Sequence, residues 1–259
     1  MGKPGMCDQE VTAILQGRIG SKRLPGKVLL PLMGKPVMQH VYDRLLHCSS
    51  ISRIIVATSA SPEDDPIAEL FSSLDVPVFR GSLEDPLDRY YQAACTYGAS
   101  NILRVMADCP LLDPHTIDEV VAVYQSGDYD LCRLEGEFPT GLDTTVFSLD
   151  SLRAAWAGAE KRSEREHITP FITDRPSFFR IGRLEKFKGL YHHRWVMDHP
   201  EDYQFVKMVY QGLYKPGQLF DYRDVLKFLV ERPDVVSLNS TIPRDQGYIS
   251  ALSEEKSQT

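Results

Sequence analysis

The chain has 259 residues, 42% of them hydrophobic and 25% charged, and carries a formal net charge of −7. This composition is close to that of an average globular protein. An acidic chain lacks the wide basic face of a general nucleic-acid binder, so we expect no nucleic-acid partner.

Strands and helices alternate through the first half of the sequence. The predicted strands cover residues 11–16, 53–58, 76–79 and 102–106, and the predicted helices cover residues 37–47, 61–73, 85–97 and 113–125. This alternation predicts βαβ units, a mostly parallel sheet and right-handed connections. Ligands of such sheets bind beyond the carboxyl ends of the strands. We therefore expect the loop after the first strand, Thr58 and Asp108 to lie together at the carboxyl edge of the sheet.

The second half of the sequence is less regular. The predicted strands cover residues 129–132, 145–147, 178–184 and 194–197, and the predicted helices cover residues 151–160, 163–169, 200–210 and 222–230. No linker divides the chain. We therefore expect a leader over residues 1–10, one domain over residues 11–252 with a helical C-terminal elaboration from about residue 200, and a frayed tail over residues 253–259.

The stretch QGRIGSKRLPGK, from Gln16 to Lys27, follows the first predicted strand. It carries four cations: Arg18, Lys22, Arg23 and Lys27. A strand followed by a basic loop with glycines and then a helix is a typical phosphate-binding arrangement. The loop has neither the spacing of a P-loop nor that of a dinucleotide site. Taken alone, these residues fit a polyphosphate, another small anion in a focused pocket, or an ordinary solvated loop.

Asp108 and Asp198 each follow an apolar run that is typical of a strand. Two carboxylates at strand ends near a polyphosphate would suit Mg²⁺, which prefers oxygen ligands. Considered singly, Asp108 also fits a turn before Pro110, and Asp198 fits a helix N-cap before Pro200.

His167 belongs to a third polar cluster, Arg165-Glu166-His167, at a predicted helix start. It is a candidate general base or ligand contact, although an ordinary surface histidine is the commoner case. We expect no zinc site at His192 and His193, because adjacent residues in a strand point to opposite faces.

The sequence shows no apolar run of membrane-spanning length and no signal-peptide pattern at its start. Five cysteines are scattered along it: Cys7, Cys48, Cys95, Cys109 and Cys132. An odd number without metal-ligand spacing indicates reduced thiols, so we expect a cytoplasmic protein with no membrane partner. Cys109 is interpreted as a buried residue at a strand end rather than as a nucleophile.

The loop QGRIGSKRLPGK resembles the Q-A-R-x-G-S-x-R-L-P-G-K signature of the cytidylyltransferase family. The similarity is greatest to the SpsF-type branch (spore coat polysaccharide biosynthesis), which is related to the CMP-KDO and acylneuraminate synthetases. Other matching segments follow in order over about residues 11–252: 55–59, 64–65, 79–82, 88–90, 104–111, 141–143, 165–170, 198–202 and 244–248.

Three departures from the family pattern stand out. Gly17 replaces the usual alanine, a change that would let a nucleotide sit closer. Lys22 replaces a small polar residue, and Asp245-Gln246 stand where the branch usually has Asn-Glu. None of these changes removes a phosphate-binding cation or a metal carboxylate.

The resemblance implies a three-layer αβα, GT-A-like nucleotidyltransferase fold with a mostly parallel central sheet. It also implies Mg²⁺-dependent transfer of CMP from CTP to an anionic acceptor, with release of pyrophosphate, in surface polysaccharide or related biosynthesis. The acceptor would be a sugar acid, a polyol phosphate or a phosphonate. CTP and this acceptor are the expected partners.

The same resemblance assigns residues to roles. The catalytic residues would be Arg18, Lys27, Asp108, Asp198 and His167, with Asp108 and Asp198 holding the metal. The CTP-binding residues would be Gln16, Gly17, Arg18, Gly20, Ser21, Arg23, Lys27, Thr58, Arg80 and Asp88, with Arg89 close by. The acceptor-binding residues would be Arg104, Asp143, Arg165, Glu166 and His167.

A homodimer is expected because the related synthetases commonly form one. Aromatic residues that look exposed in the C-terminal part support this expectation: Tyr203, Phe205, Tyr210, Tyr214, Phe220, Tyr222 and Phe228. The alternative is that they cover the core.

Two other functions stay open at this point. A GT-A-type glycosyltransferase would be expected to carry a D-x-D metal motif at a strand end, whereas the matching letters Asp128-Tyr129-Asp130 precede a strand. A non-catalytic nucleotide-binding subunit is the second alternative. The retained Arg18, Lys27, Asp108 and Asp198 argue against it.

Overall fold

The computed structural model describes residues 10–244, 246–249 and 253. The predicted leader and tail, Cys7 and Asp245 therefore lie outside the described residues, apart from Glu10 and Ser253. The assignment of residues 11–252 to one domain stays a prediction.

The first half of the chain alternates between strands and helices, as predicted. Strand β1 (Val11–Gln16) leads through the basic loop into a 3₁₀ turn (Lys27–Leu29) and a small hairpin of β2 (Pro31–Leu32) and β3 (Lys35–Pro36). The elements that follow are α1 (Val37–Leu45), β4 (Ile51–Ser59), a 3₁₀ turn (Pro62–Asp64), α2 (Asp65–Ser72), β5 (Val78–Gly81), α3 (Pro86–Thr96), β6 (Asn101–Met106) and α4 (Pro114–Ser126).

The second half contains more short elements than predicted. They are β7 (Leu131–Gly136), β8 (Thr145–Ser148), α5 (Leu149–Gly158), α6 (Arg162–His167), α7 (Pro170–Thr173), β9 (Ile181–Phe187), α8 (Pro200–Leu213), α9 (Tyr222–Glu231) and α10 (Pro233–Val236). Strands β7 and β9 begin two to three residues later than predicted.

The strand predicted over residues 194–197 is wrong. Within the described residues, the backbone pairing of this segment amounts to one isolated bridge, from Arg194 to Thr140. The apolar run reflects burial: Trp195, Val196 and Met197 are each at most 6% exposed. A short apolar run indicates burial but does not by itself distinguish a strand from an irregular segment.

Seven strands form the main sheet, in the order β5-β4-β1-β6-β8-β7-β9. Strand β8 runs antiparallel to both of its neighbours, and the other pairings are parallel. Gln16 at the end of β1 lies opposite Ala57 in β4 and Met106 in β6. The carboxyl ends of these three strands therefore meet at one edge, as predicted.

Helices cover both faces of the sheet, because strand side chains alternate between two cores. Ala13 and Leu15 belong to the core that contains residues of α1, α2, α4, α8 and α9. Ile14 belongs to the core that contains residues of α3 and α5. This arrangement is the predicted three-layer αβα fold with a mostly parallel central sheet.

The C-terminal aromatic residues cover the core instead of forming an exposed surface. Phe205, Tyr210 and Phe220 are buried. The other four are half-buried and pack against the same core: Tyr203, Tyr214, Tyr222 and Phe228. The argument from exposed aromatics was therefore wrong, and the homodimer stays a prediction that rests on the family resemblance.

The structure bears on the expected absence of a membrane span and on the state of the cysteines. None of the helices within residues 10–244 and 246–249 is long and apolar enough to cross a membrane. The four cysteines that the structure describes, Cys48, Cys95, Cys109 and Cys132, are free thiols.

Gly141 lets the loop between β7 and β8 lie against the segment 194–197. Its φ angle is +105°, and a Cβ there would lie 2.8 Å from the backbone carbon and oxygen of Trp195. The amide of Trp195 donates to the carbonyl oxygen of Thr140 over 2.7 Å. This close approach fixes the segment that leads to Asp198.

Gly141→Ala is expected to lower the free energy of unfolding by about 3 kcal/mol, measured by urea denaturation. A side chain at this φ costs on the order of 1–3 kcal/mol, and overpacking against backbone atoms costs a similar further amount. Gly34→Ala is the matched control, because Gly34 has a φ of +85° but no atom within 4 Å of an added Cβ. Equal losses in the two variants would contradict the tight approach at Gly141.

Candidate active site

Lys27 joins Asp108 and Asp198 at the carboxyl edge of the sheet. Its Nζ donates to Asp108 Oδ2 and, over 2.7 Å, to Asp198 Oδ1. Arg23, from the same loop, lies 3.0 Å from Asp198 Oδ1. The side chains of Lys27, Asp108 and Asp198 are only 12%, 18% and 21% exposed. Two carboxylates that are distant in sequence thus share one ammonium group.

The charges in this cluster support one another. Burial acts to lower the pKa of Lys27, but Asp108 and Asp198 outweigh it and raise that pKa above the ordinary 10.5. Burial acts to raise the pKa of Asp198, but Lys27 and then Arg23 lower it to about 2. Lys27 and Asp198 are therefore charged at neutral pH.

Backbone hydrogen bonds bring Asp198 to the sheet edge, although it does not end a strand. The amide of Met197 donates to the carbonyl oxygen of Asp108 over 2.8 Å, and the amide of Ala107 donates to Gln16 over 2.9 Å. Asp108 lies in the turn after β6, in agreement with its alternative interpretation. The N-cap interpretation of Asp198 was wrong, because His199 caps α8.

Asp202 and Arg194 hold the backbone around Asp198. Asp202 Oδ2 accepts from the amides of Asp198 and His199, each over 2.9 Å. Arg194 forms a two-pronged ion pair with Asp202, over 2.8 and 3.0 Å, and its Nη2 lies 3.5 Å from Asp198 Oδ2. Sequence reasoning placed Arg194 in a predicted strand and Asp202 in a predicted helix and a family match, and gave neither residue this role. The i, i+4 and i, i+8 spacing of the charges was the available signal.

Asp64 fixes the basic loop to the end of β4, and sequence reasoning missed this role. Its buried carboxylate accepts from the amide of Ile19 over 2.7 Å, and from the amide of Ser59 over 3.1 Å together with the Ser59 hydroxyl. The sequence signal around Asp64 was interpreted as a helix start and as part of a family match, and neither interpretation gave Asp64 this role. The structure shows that this helix start also holds the loop.

Gly17 meets protein instead of open space. A Cβ there would lie 2.8 Å from the Ala107 Cβ and 3.0 Å from the Met38 sulfur. The glycine therefore permits close packing of the loop against β6 and α1, and the idea that it lets a nucleotide sit closer has no support in this geometry. Gly20, by contrast, is exposed, and Ser21 accepts from the amide of Leu24 within the loop.

The other predicted CTP contacts lie around the loop but have protein partners or are covered. Thr58 is fully buried in β4. Arg80 donates to the carbonyl oxygens of Ser59 and Ser61 and pairs with Asp65. Asp88 accepts from the indole nitrogen of Trp156 over 2.8 Å.

Arg18 and Arg89 place two positive charges beside the loop. Arg89 is fully buried. Burial lowers the pKa of Arg89, and the charge of Arg18 lowers it further. In the part of the chain that the structure describes, neither guanidinium forms a salt bridge to a carboxylate; Arg18 donates weakly to the carbonyl oxygen of Leu83. Arg89 donates to the carbonyl oxygen of Ser82. Positive charge that is not ion-paired favours a bound anion.

Arg165 contacts the protein scaffold instead of an open site. Its guanidinium donates to Asp85 over 2.7 and 2.6 Å and to the carbonyl oxygens of Trp156 and Ala159. It thereby attaches α6 to the start of α3. This geometry gives no support to the acceptor-binding role expected for Arg165.

Four predicted acceptor residues fall into two groups. Glu166 lies 3.8 Å from Arg162, and the His167 ring stands edge-on to Tyr248 at 5.1 Å. Arg104 and Asp143 instead line a small cavity at the end of β6, together with Cys109. Arg104 and Asp143 therefore share a cavity with Cys109, the residue after Asp108.

The D-x-D letters do not form a metal site at the edge that carries Asp108 and Asp198. Asp128 and Asp130 both pair with Arg180, just before β7 begins and hence at the opposite edge of the sheet. Across the described ranges, no three histidine, cysteine or acidic residues converge as a metal site. Asp108 and Asp198 fit one hard cation that takes its other ligands from a substrate, because their oxygens already converge on one charged atom.

The fold and this edge define a nucleotidyltransferase-like α/β protein. A sequence model described as Cytidylyltransferase matches residues 12–221. The chain belongs to the cytidylyltransferase family.

Individual relatives agree with this assignment. The chain is 35% identical over 246 residues to an uncharacterized protein of Methanocaldococcus jannaschii, covering 92% of this chain and 98% of that protein. It is 28% identical over 240 residues to the spore coat polysaccharide biosynthesis protein SpsF of Bacillus subtilis, covering 88% and 97%. A solved cytidylyltransferase from Leptospira borgpetersenii superimposes with a TM-score of 0.83 at 29% identity, covering 91% of this chain and all of that one (100%). The predicted family and branch similarity are confirmed.

The charge on Asp198 is expected to make stability depend on pH. Its lowered pKa means that the charged form stabilises the fold above pH 3.8, and that this contribution disappears as the pH falls towards about 2. Lys27 stays charged throughout, because its pKa is raised. In metal-free buffer, urea unfolding of the protein and of Asp198→Asn should differ by about 2 kcal/mol near pH 6 and converge near pH 2. A difference that does not change with pH would contradict this ion pair.

Proposed function

We propose that the protein transfers CMP from CTP to a small anionic acceptor and releases pyrophosphate, in surface polysaccharide or related biosynthesis. The observation that carries the proposal is the convergence of Asp108 and Asp198 on the Lys27 ammonium, beside a basic loop that follows the central strand. Membership of the cytidylyltransferase family supports CTP as the donor, and the similarity to SpsF supports the biosynthetic setting.

The basic loop is the proposed triphosphate site. Arg18, Arg23 and Lys27 supply the positive charge, and Gly20 leaves the loop open at its exposed tip. The absence of a carboxylate partner for Arg18 among the described residues supports an anionic ligand. Asp64 keeps this loop at the strand edge while the ligand binds.

Mg²⁺ is the proposed cofactor, held by Asp108 and Asp198, and when bound it supplies positive charge at the phosphate oxygens. Lys27 contacts both carboxylates in this structure. With Mg²⁺ held by the two carboxylates, the Lys27 ammonium would be free to contact the triphosphate. Arg194 and Asp202 keep Asp198 directed towards the site throughout.

Catalysis in this proposal rests on positioning and charge neutralisation. An acceptor oxygen forms a bond to the α-phosphorus of CTP, and the bond from that phosphorus to the oxygen between the α- and β-phosphates breaks in line, so that this oxygen leaves with pyrophosphate. Arg18 and Lys27 offset the charge that develops on the leaving pyrophosphate. An ionised phosphate, phosphonate or carboxylate needs no base, whereas a hydroxyl acceptor would need one. His167 is the candidate for that role.

The acceptor is proposed to bind on the side of the site where Arg104 and Asp143 lie, outside the cavity that both line, because that cavity has room for only about one water. A sugar acid, a polyol phosphate or a phosphonate would each bring a negative charge towards Arg104. Arg165 takes no part in this proposal, since its guanidinium is held by Asp85.

A pyrophosphate-release screen tests the function. With CTP, Mg²⁺ and a panel of sugar acids, polyol phosphates and phosphonates, at least one acceptor should give turnover, and UTP in place of CTP should give much less. Asp108→Asn and Asp198→Asn should each lower this turnover by roughly 10²–10³-fold, because each removes a carboxylate that would hold the metal ion at the reacting phosphate.

Asp43→Asn is the matched control, because Asp43 forms a 2.6 Å ion pair with Lys35 away from the proposed site. Its turnover should stay close to that of the unmodified protein. Near-normal turnover in Asp108→Asn or Asp198→Asn would exclude the metal assignment. Binding of CTP without pyrophosphate from any acceptor would instead indicate a non-catalytic nucleotide-binding protein.

Lys27→Met is expected to weaken CTP binding by about 10- to 100-fold in calorimetric titrations with Mg²⁺, since a hydrogen bond to a charged group contributes roughly 1.5–3 kcal/mol. Methionine keeps much of the side-chain length but removes the charge. Lys35→Met, which breaks the 2.6 Å pair with Asp43, is the control and should leave CTP affinity unchanged. Unchanged affinity in Lys27→Met would remove Lys27 from the nucleotide site.

A further inference from the structure

Asp202 is the centre of a buried polar cluster behind Asp198. It is fully buried, and its two carboxylate oxygens accept five hydrogen bonds, all from groups within 3.0 Å. Oδ2 accepts from the amides of Asp198 and His199 and from Arg194 Nη2. Oδ1 accepts from Arg194 Nε and from Asn239 Nδ2.

Asn239 brings the C-terminal part of the chain into this cluster. It follows α10, is only 2% exposed, and its Nδ2 donates over 2.9 Å both to Asp202 Oδ1 and to the carbonyl oxygen of Arg194. A few residues later, the carbonyl oxygen of Pro243 accepts from Arg194 Nη1 over 3.2 Å. Asn239 does not contact the proposed CTP or metal residues directly.

The connections from Asn239 to Asp198 are short and buried. Asn239 binds one oxygen of Asp202, and the other oxygen of Asp202 holds the amide of Asp198. Asn239 also binds the carbonyl oxygen of Arg194, whose Nη2 lies 3.5 Å from Asp198 Oδ2. A buried carboxylate is stable only while its hydrogen bonds are satisfied. Loss of the Asn239 amide would therefore let Asp202 and Arg194 shift, and Asp198 would move with them.

We propose that Asn239 is a positioning residue, which sets the place of the Asp198 carboxylate through Asp202 and Arg194. This inference rests on the proposed function, in which Asp198 is a ligand of the divalent cation. It assigns Asn239, which follows α10, a part in building the site through Asp202 and Arg194. Partners one step removed from metal ligands commonly affect metal affinity or activity by about 10- to 100-fold.

The test compares Asn239→Ala with Asn101→Ala. Asn101 is also buried, donates to the carbonyl oxygen of Glu10 over 3.1 Å and accepts from the Tyr124 hydroxyl over 2.8 Å, but it begins β6 at the opposite edge of the sheet. Thermal unfolding should show a loss of stability in both variants. Mn²⁺ binding, followed by electron paramagnetic resonance in the presence of α,β-methylene-CTP, should weaken by about 10- to 100-fold in Asn239→Ala only.

A double-mutant cycle identifies the route of the effect. If Asn239 acts through Asp202, Asn239→Ala combined with Asp202→Asn should weaken Mn²⁺ binding no more than the stronger single variant does. Effects that multiply would show that Asn239 acts independently and would overturn the proposal. Asn239→Ser, which keeps a short hydroxyl, is the milder substitution if Asn239→Ala does not unfold cooperatively.

The outcomes separate this inference from the function on which it rests. If the unmodified protein binds no Mn²⁺ with the CTP analogue present, the metal assignment fails, and the positioning role fails with it. If the unmodified protein binds Mn²⁺ and the two alanine variants bind it equally well, the metal assignment stands and only the role of Asn239 is overturned.

Discussion

The contact of one ammonium group with two carboxylates is the constraint on which the site depends. Asp108 and Asp198 would repel each other at this separation without a cation between them. Lys27 provides that cation and is 171 residues from Asp198 in sequence. The position of Lys27 depends in turn on the loop that Asp64 attaches to β4, and the position of Asp198 depends on Asp202. The local geometry of the site is therefore a property of the whole sheet edge.

The parallel sheet explains why so many polar groups meet here. Strands β4, β1 and β6 end in register, so the basic loop, Ser59 and Asp108 start from neighbouring points. The segment 194–197 lies at this edge although it is not a strand. Two backbone hydrogen bonds attach it there, to residues 108 and 140. Gly141 makes this attachment possible, since only a residue without a Cβ fits against the Trp195 backbone.

Periodicity and motif spacing predicted the sheet, the basic loop and the placement of Asp108, because these follow from local patterns. Asp198 was found for the wrong reason: its preceding apolar run reflects burial and not a strand. Arg165 shows the limit more clearly. Its chemistry suits an acceptor, but its pairing with Asp85 across 80 residues cannot be derived from spacing. The same holds for Asp64, whose role depends on the amides of Ile19 and Ser59. It also holds for Asn239, whose role depends on the oxygens of Asp202 and Arg194 that the fold brings to it. The aromatic residues of α8 and α9 were likewise expected to be exposed, whereas they pack against the core, and this packing cannot be derived from the sequence alone.

The hydrogen bond from Met197 to Asp108 has a consequence for how the protein becomes active during synthesis. A chain that has emerged only as far as α4 contains the basic loop and Asp108, but Asp198 and its supporting residues are still missing. Contacts between such distant segments form late, because the loop they close is long and entropically costly. A partly made chain thus has a cationic edge with Asp108 but without Asp198. The two-carboxylate arrangement arises only when the chain has been made and folded through Asp202, which holds the backbone of Asp198.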